Sequence, residues 1–224
     1  MKIIELEVTE STNDEVRKFW DLGEDIAVVA RRQTGGRGSK GRSFASPEGG
    51  IYISFIKHYY GLKAEKAYEV TEDISLSVAL TLRAFGVKAE IKWPNDIYVG
   101  KKKICGMLTQ NEIKNGYVEK TLCGVGINVN NDLPPELDDI ATSLKKELGK
   151  EVDLKSVLFT LVYNLEKIQD VKLYPSFSCV IGKKAKVFEP GKEAYEETVE
   201  EILPDGRLKL KDGKILSVAE IKLI

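Results

Sequence analysis

Apolar and polar positions along this chain recur with periods that can be read element by element. Residues 2–8 (Lys-Ile-Ile-Glu-Leu-Glu-Val) have the look of a half-buried strand. Residues 26–30 (Ile-Ala-Val-Val-Ala) and 51–56 (Ile-Tyr-Ile-Ser-Phe-Ile) are short apolar runs, which predicts two strands buried on both faces. From 67 to 85 the period lengthens. Ile74, Val78, Leu82 and Phe85 form a helical stripe that ends at Gly86. Residues 104–110 and the run beginning at 117 predict strands on either side of Asn115-Gly116, a tight-hairpin signal. A short helix is predicted from 141–144 to Gly149. The clearest helix is predicted over 153–170, with Leu154, Val157, Leu158, Leu161, Val162, Leu165 and Ile168 on one face. Near the N-terminus, a helix over 16–20 follows Ser11-Thr12-Asn13, and Thr12 with Glu15 is spaced as a capping box.

The texture changes near Cys179. Gly182, Gly191, Asp205-Gly206 and Asp212-Gly213 punctuate short strands at 184–187, 198–203, 207–210 and 215–218. Residues 179–224 are therefore expected to form a small β-barrel, too small to bury much core by itself and docked on a larger α+β domain at 1–178.

Between the strands at 26–30 and 51–56 lies the least regular stretch. Residues 31–50 hold six glycines and five cations: Arg31, Arg32, Arg37, Lys40 and Arg42. Glycine lets backbone approach a ligand closely, and arginine forks with free N–H groups suit an anion, phosphate above all. A long, mobile, functional loop is expected here. Residues 36–43 approximate a phosphate-binding P-loop, but Arg42 replaces the required lysine and the segment leads into a strand instead of a helix. A second mobile segment is expected at 59–66. Pro94, within Lys92-Trp93-Pro94-Asn95-Asp96, should interrupt the sheet and let polar side chains turn toward a site. Gly124 and Gly126 alternate in the strand that follows, as though something packs flat on one face.

Charge narrows the classes. There are 34 Lys+Arg against 35 Asp+Glu, where a general nucleic-acid binder is usually basic. No apolar run is long enough to span a bilayer, and the chain opens on a strand-like segment, so a cytoplasmic protein is expected. Cys105, Cys123 and Cys179 are widely spaced among apolar neighbours and read as reduced core residues. With His58 the only histidine, a Ser-His-Asp or Cys-His mechanism or a zinc site is not expected, and chemistry is expected to come from positioning and charge.

Five motifs, taken together, resemble the biotin protein ligases in order and spacing. They are Ser11-Thr12-Asn13, the loop carrying Gln33, Gly36-Arg37-Gly38 and Gly41-Arg42, Lys92-Trp93-Pro94-Asn95-Asp96, Lys103 with Gly106, and Gly124-x-Gly126-Ile127-Asn128. The resemblance covers most of residues 1–145. It implies a mixed-sheet catalytic domain of the class II synthetase type at 1–178 and an SH3-like domain at 179–224. The end of the latter, Ser217-Val218-Ala219-Glu220-Ile221, is a loose version of the usual Ser-Gly-Glu.

The resemblance further implies a two-step reaction. ATP and biotin give biotinyl-5′-AMP and pyrophosphate, and a lysine of a biotin carboxyl carrier domain then takes the biotin. Lys103, Arg37 and Arg42 are its implied catalytic cations. Ser11, Thr12, Asn13, Gln33, Gly36, Arg37, Gly38, Lys103, Gly106 and Gly124 are implied around biotin. Arg37, Arg42, Phe44, Asn95, Lys103 and Asn128 are implied around ATP, with Asp96 at Mg²⁺. Trp93 is left open between pocket wall and plain core. Two positions depart from the family pattern: Ser39 stands where many relatives have arginine, and Phe44 where they have tryptophan. Homodimerisation is an expectation of the resemblance. Because the chain begins at the catalytic part, no DNA-binding role is expected. A lipoyl ligase of the same fold and a non-enzymatic nucleic-acid module are the alternatives.

Overall fold

The structure is a computed structural model that describes residues 1–167 and 169–224, with Lys40 described by its backbone alone. Seven strands form a mixed sheet: β1 (Lys2–Thr9), β2 (Ile26–Gln33), β3 (Ile51–His58), β4 (Ala89–Lys92), β5 (Asp96–Val99), β6 (Lys102–Lys114) and β7 (Tyr117–Ile127). Their spatial order is β1-β2-β3-β7-β6-β5-β4, with β1 parallel to β2 and every other pair antiparallel. Asn115 and Gly116 both take positive φ at the β6–β7 turn, as the Asn-Gly signal predicts.

The two faces of this sheet are covered unequally, and that inequality makes the site. One face is buried under α2 (Tyr68–Ala84), against which α4 (Leu154–Glu166) packs. Ile74, Val78 and Leu82 lie in this core as their spacing predicts, alongside Ile53, Phe55, Cys123 and Val125 from the strands. The helix predicted over 153–170 stops at Glu166; Ile168, expected on its apolar face, lies outside the described residues. The opposite face is covered by the short α1 (Thr12–Arg17), whose Val16 packs on Ile26, Val28, Ile56 and Leu122, and by Phe44 of the glycine loop. Six residues of helix cover only part of a face. The rest, at Gly106, Gly124 and Gly126, forms an open hollow.

A short helix, α3 (Leu144–Leu148), follows β7, capped by the Ser143 hydroxyl and closed by Gly149 in the left-handed region. The expected mobile segment at 59–66 is pinned to β7: Val118 N–H donates to Leu62 O (2.8 Å) and Ala64 N–H to Gly116 O (2.9 Å).

After α5 (Tyr174–Phe177) come β8 (Lys184–Phe188), β9 (Tyr195–Ile202), β10 (Leu208–Leu210), β11 (Ile215–Leu216) and β12 (Glu220–Leu223). They form a second, antiparallel sheet in the order β11-β10-β9-β8-β12. Its apolar side, including Val187, Val199 and Leu210, joins the core of the first sheet. Trp93 Nε1 donates to Gly206 O (2.9 Å) and the Tyr68 hydroxyl to Ser217 O, so turns of the second sheet are held by the β4–β5 connection and by the start of α2.

Candidate functional site

The hollow is built by strand register. In antiparallel strands, paired residues share a face. Ser54, Gly124 and Leu108 therefore form one row across β3, β7 and β6, and Tyr52, Gly126, Gly106 and Asp96 form the next. A methyl at Gly126 would lie 2.5 Å from the Phe44 ring, and one at Gly124 would lie 2.7 Å from the Asn13 amide. The two alternating glycines are thus where flat groups rest on the sheet, as their spacing implied.

Lys103 reaches the same face through a backbone irregularity. Register between β5 and β6 shifts, with Ile97 opposite Cys105 but Tyr98 opposite Lys103. The extra residue is Ile104, and it is fully buried in the core. Such a bulge re-aims the side chains beside it. The Lys103 ammonium comes within 2.6 Å of Asp96 Oδ1 and lies over Gly106.

One wall is the first turn of α1. Ser11 is its extended N-cap residue, but the Ser11 side chain makes no capping bond. Gln33 does this instead: its Oε1 accepts from Thr12 N–H (2.8 Å) and from the Thr12 hydroxyl (3.0 Å). The expected Thr12–Glu15 capping box does not form. Glu15 pairs with Lys18 (2.6 Å) and accepts from the Thr9 hydroxyl (3.3 Å). Gln33 Nε2 donates to Ser46 Oγ (2.8 Å), which donates to Phe44 O (2.9 Å), and Thr12 Oγ1 lies 2.7 Å from Ser54 Oγ. A continuous polar chain thus runs from Ser54 to the glycine loop. Asn13 Oδ1 is buried with no hydrogen-bond partner among the described residues. A buried carbonyl oxygen left unpaired is costly, so it marks a place for a donor.

The opposite wall is the loop, which folds back as a small hairpin instead of running free. Gly38 N–H donates to Arg42 O (2.7 Å), Phe44 N–H donates to Gly36 O (2.8 Å), and Arg37 bridges Ser43. A methyl on Gly36 would meet Phe44 O at 2.4 Å, so only glycine permits this fold-back. The Phe44 ring stands edge-on to Tyr52, with centroids 6.4 Å apart.

Of the residues expected at the site, Thr12, Asn13, Gln33, Arg37, Gly38, Phe44, Asp96, Lys103, Gly106 and Gly124 line this one hollow. Ser11 is buried below it and Gly36 packs behind the loop. Arg42 points away and forms a two-pronged contact with Glu220 of β12 (3.2 and 3.3 Å). Asn95 donates to Met107 O (2.7 Å) and lines a neighbouring cavity beside Trp93 and Val218. Asn128 is buried; it donates to Thr142 O (3.1 Å) and accepts from Asn131 (3.1 Å). Ser54 and Ser39 also line the hollow. The signal for Ser54 was a single small polar residue within the apolar and aromatic run 51–56.

Each candidate cation has a carboxylate partner: Lys103 with Asp96, Arg37 with Asp14 (2.5 Å) and Arg42 with Glu220. Burial pushes the Cys123 thiol up to about 12 and raises Cys105 well above its usual range, so neither is a thiolate near neutrality. Among the described residues, no group of three or more His, Cys, Asp or Glu could hold a metal ion. Among the described residues, no helix is long and apolar enough to cross a membrane.

A sequence profile of the biotin/lipoate A/B protein ligase family matches residues 5–128, just over half of the chain. The chain belongs to this family. It is 37% identical over 153 residues to the bifunctional ligase/repressor BirA of Bacillus subtilis, a match covering 64% of this chain and 46% of that protein. It therefore spans about half the length of that relative. To the biotin–[acetyl-CoA-carboxylase] ligase of Mycobacterium tuberculosis it is 28% identical over 227 residues, covering 92% of this chain and 81% of that one. Its fold matches a biotin protein ligase from Aquifex aeolicus, solved in complex with biotin and ATP. The TM-score is 0.82 and the identity 28%, with 100% of this chain and 98% of that chain covered.

Proposed function

We propose that the protein is a biotin–protein ligase. It activates biotin with ATP to biotinyl-5′-AMP and passes the biotin to a lysine of a biotin carboxyl carrier domain. The observation that carries this reading is the composition of one hollow. One part of it is lined by neutral hydrogen-bonding groups on Thr12, Asn13 and Gln33, and the same hollow holds the cations Lys103 and Arg37. The ureido ring of biotin is a flat, neutral, multi-donor group and suits the first part. The unpartnered Asn13 carbonyl accepts one of its N–H groups.

The first step joins two anions. Lys103 and Arg37 screen the biotin carboxylate from the α-phosphate and hold charge as pyrophosphate leaves. Arg42 joins them when phosphate competes with Glu220 for its guanidinium. Phe44 covers the ligand from the loop side, while Asn95 and Asn128, whose amides are taken up by Met107, Thr142 and Asn131, support the surrounding backbone. A Mg²⁺ ion is commonly held by one or two carboxylates plus substrate phosphates, and among the described residues the hollow offers the carboxylate of Asp96, which would hold the ion by exchanging its contact with Lys103. When bound there it offsets phosphate charge.

Residues 1–178 act as the catalytic domain and 179–224 as an SH3-like domain. The reading is of a cytoplasmic enzyme working as a homodimer, with the sheet's edge strand β1 available for pairing.

The test is pyrophosphate release by the purified protein with ATP and Mg²⁺. Release is expected to require biotin, and label from biotin is expected on an added carrier domain. Release driven by lipoate instead would assign the lipoyl activity of the family. Release with neither acid would refute adenylation altogether.

A further inference from the structure

Arg37, on the glycine loop, finds its carboxylate partner on α1, the wall across the hollow. Its Nη2 lies 2.5 Å from Asp14 Oδ2, a charge-assisted contact between the glycine loop and α1. Asp14 follows directly after Thr12 and Asn13, both of which line the hollow. A single helical turn thus presents two ligand-facing side chains and one anchor for the opposite wall. The Arg37 backbone is already fixed by its bridge to Ser43. The long side chain beyond it is not, and arginine carries large rotamer freedom.

We propose that Asp14 is a positioning residue. It holds the Arg37 guanidinium at the mouth of the hollow, so that an anionic ligand group meets a pre-aimed donor. This role rests on the function proposed above. Both partners are partly solvent-exposed, and exposed ion pairs contribute little to stability, so the contact acts on geometry more than on folding. A guanidinium has five N–H donors, and an ion pair through Nη2 leaves others for the ligand. Asp14 therefore orients Arg37 without using it up.

Losing one pre-ordered, rotamer-rich side chain weakens binding by about two- to tenfold. Asp14→Asn keeps the shape and removes the charge. It is expected to raise the KM for biotin in the pyrophosphate assay by that factor and leave kcat and thermal stability near wild type. Such a split marks binding shared by ground and transition states. Asp14→Glu should recover part of the loss. In an Arg37→Ala background, Asp14→Asn should add nothing.

A second readout needs no ligand. Trypsin cleaves after Arg37 only when that side chain is free to enter the protease, so Asp14→Asn should speed cleavage at Arg37 relative to cleavage at Arg207. An unchanged KM and unchanged cleavage in Asp14→Asn, with an active wild type, sinks this role alone. A lowered KM would mean that Asp14 competes with the ligand, and also overturns it. A wild type that never releases pyrophosphate sinks the proposed function and this role together, whatever trypsin reports.

Discussion

Replacing Glu72 with glutamine should stabilise the protein above neutral pH and do much less near pH 5. Glu72 lies on α2, one turn beyond Tyr68, where the helix meets the Asp205-Gly206 turn of the second sheet. It is 6% exposed. Among the described residues, no hydrogen bond or ion pair to its carboxylate is present, and burial, with Glu69 and Asp205 nearby, raises it from 4.5 to about 7. A raised carboxyl means that the folded state binds more protons than the unfolded one between those two values. Stability therefore falls as pH rises from about 4.5 to about 7, and the whole cost is present above. At about 1.4 kcal/mol per unit, the cost is roughly 3 kcal/mol at pH 8 and under about 1 kcal/mol at pH 5. Urea unfolding of wild type and Glu72→Gln at pH 5, 6, 7 and 8 measures it directly. The gain from glutamine should grow by about 2 kcal/mol across that range. A pH-independent difference, or a variant less stable at every pH, would show that Glu72 is solvated or paired in the folded protein and refute the reasoning.

Lys103→Ala should abolish most biotin-dependent pyrophosphate release while Lys101→Ala leaves it intact, since Lys103 lines the hollow and Lys101 does not; equal, mild losses would return the lysine run to a solvated turn. Gly126→Ala places a methyl 2.5 Å from the Phe44 ring. Overpacking of this kind costs about 1–3 kcal/mol, and the Kd for biotin should rise about tenfold as Phe44 is displaced from its place over the floor; calorimetric titration with biotin checks it. Lys57 and Asp73 form a buried pair (2.9 Å) that also binds Leu165 O and Gln169 N–H. Asp73→Ala should cost about 3–5 kcal/mol in urea unfolding, because Lys57 is left buried without its counter-charge. The double variant Lys57→Met/Asp73→Leu should recover most of that loss.

Local pattern alone was enough for the elements whose neighbours merely follow from their own period. The stripe at Ile74, Val78 and Leu82 had to face a core, and Asn115-Gly116 had to turn a hairpin, because both follow from short-range geometry. The alternating Gly124 and Gly126 likewise announced that something lies flat on that strand. What lies there, Asn13 and the Phe44 ring, comes from distant parts of the chain, and no local period encodes it.

Other features were decided only by tertiary structure. Simple alternation along β6 would put Lys103 on the same side as Cys105; one extra residue, Ile104, inverts that assignment and brings Lys103 to Asp96. A shift of one residue moves every side chain beyond it to the other face, so the sequence could name Lys103 by motif but not aim it. The N-terminus of α1 offered a local cap in Thr12 and Glu15, yet Gln33 from β2 supplies the bond, because the folded sheet brings its amide to that N–H. Arg42 was legible as a loop cation, but its fork is held by Glu220, 178 positions away. Charge type and local geometry are written in the order of residues. Which charge meets which is set when non-local strands and loops close, and that closure is a property of the whole fold.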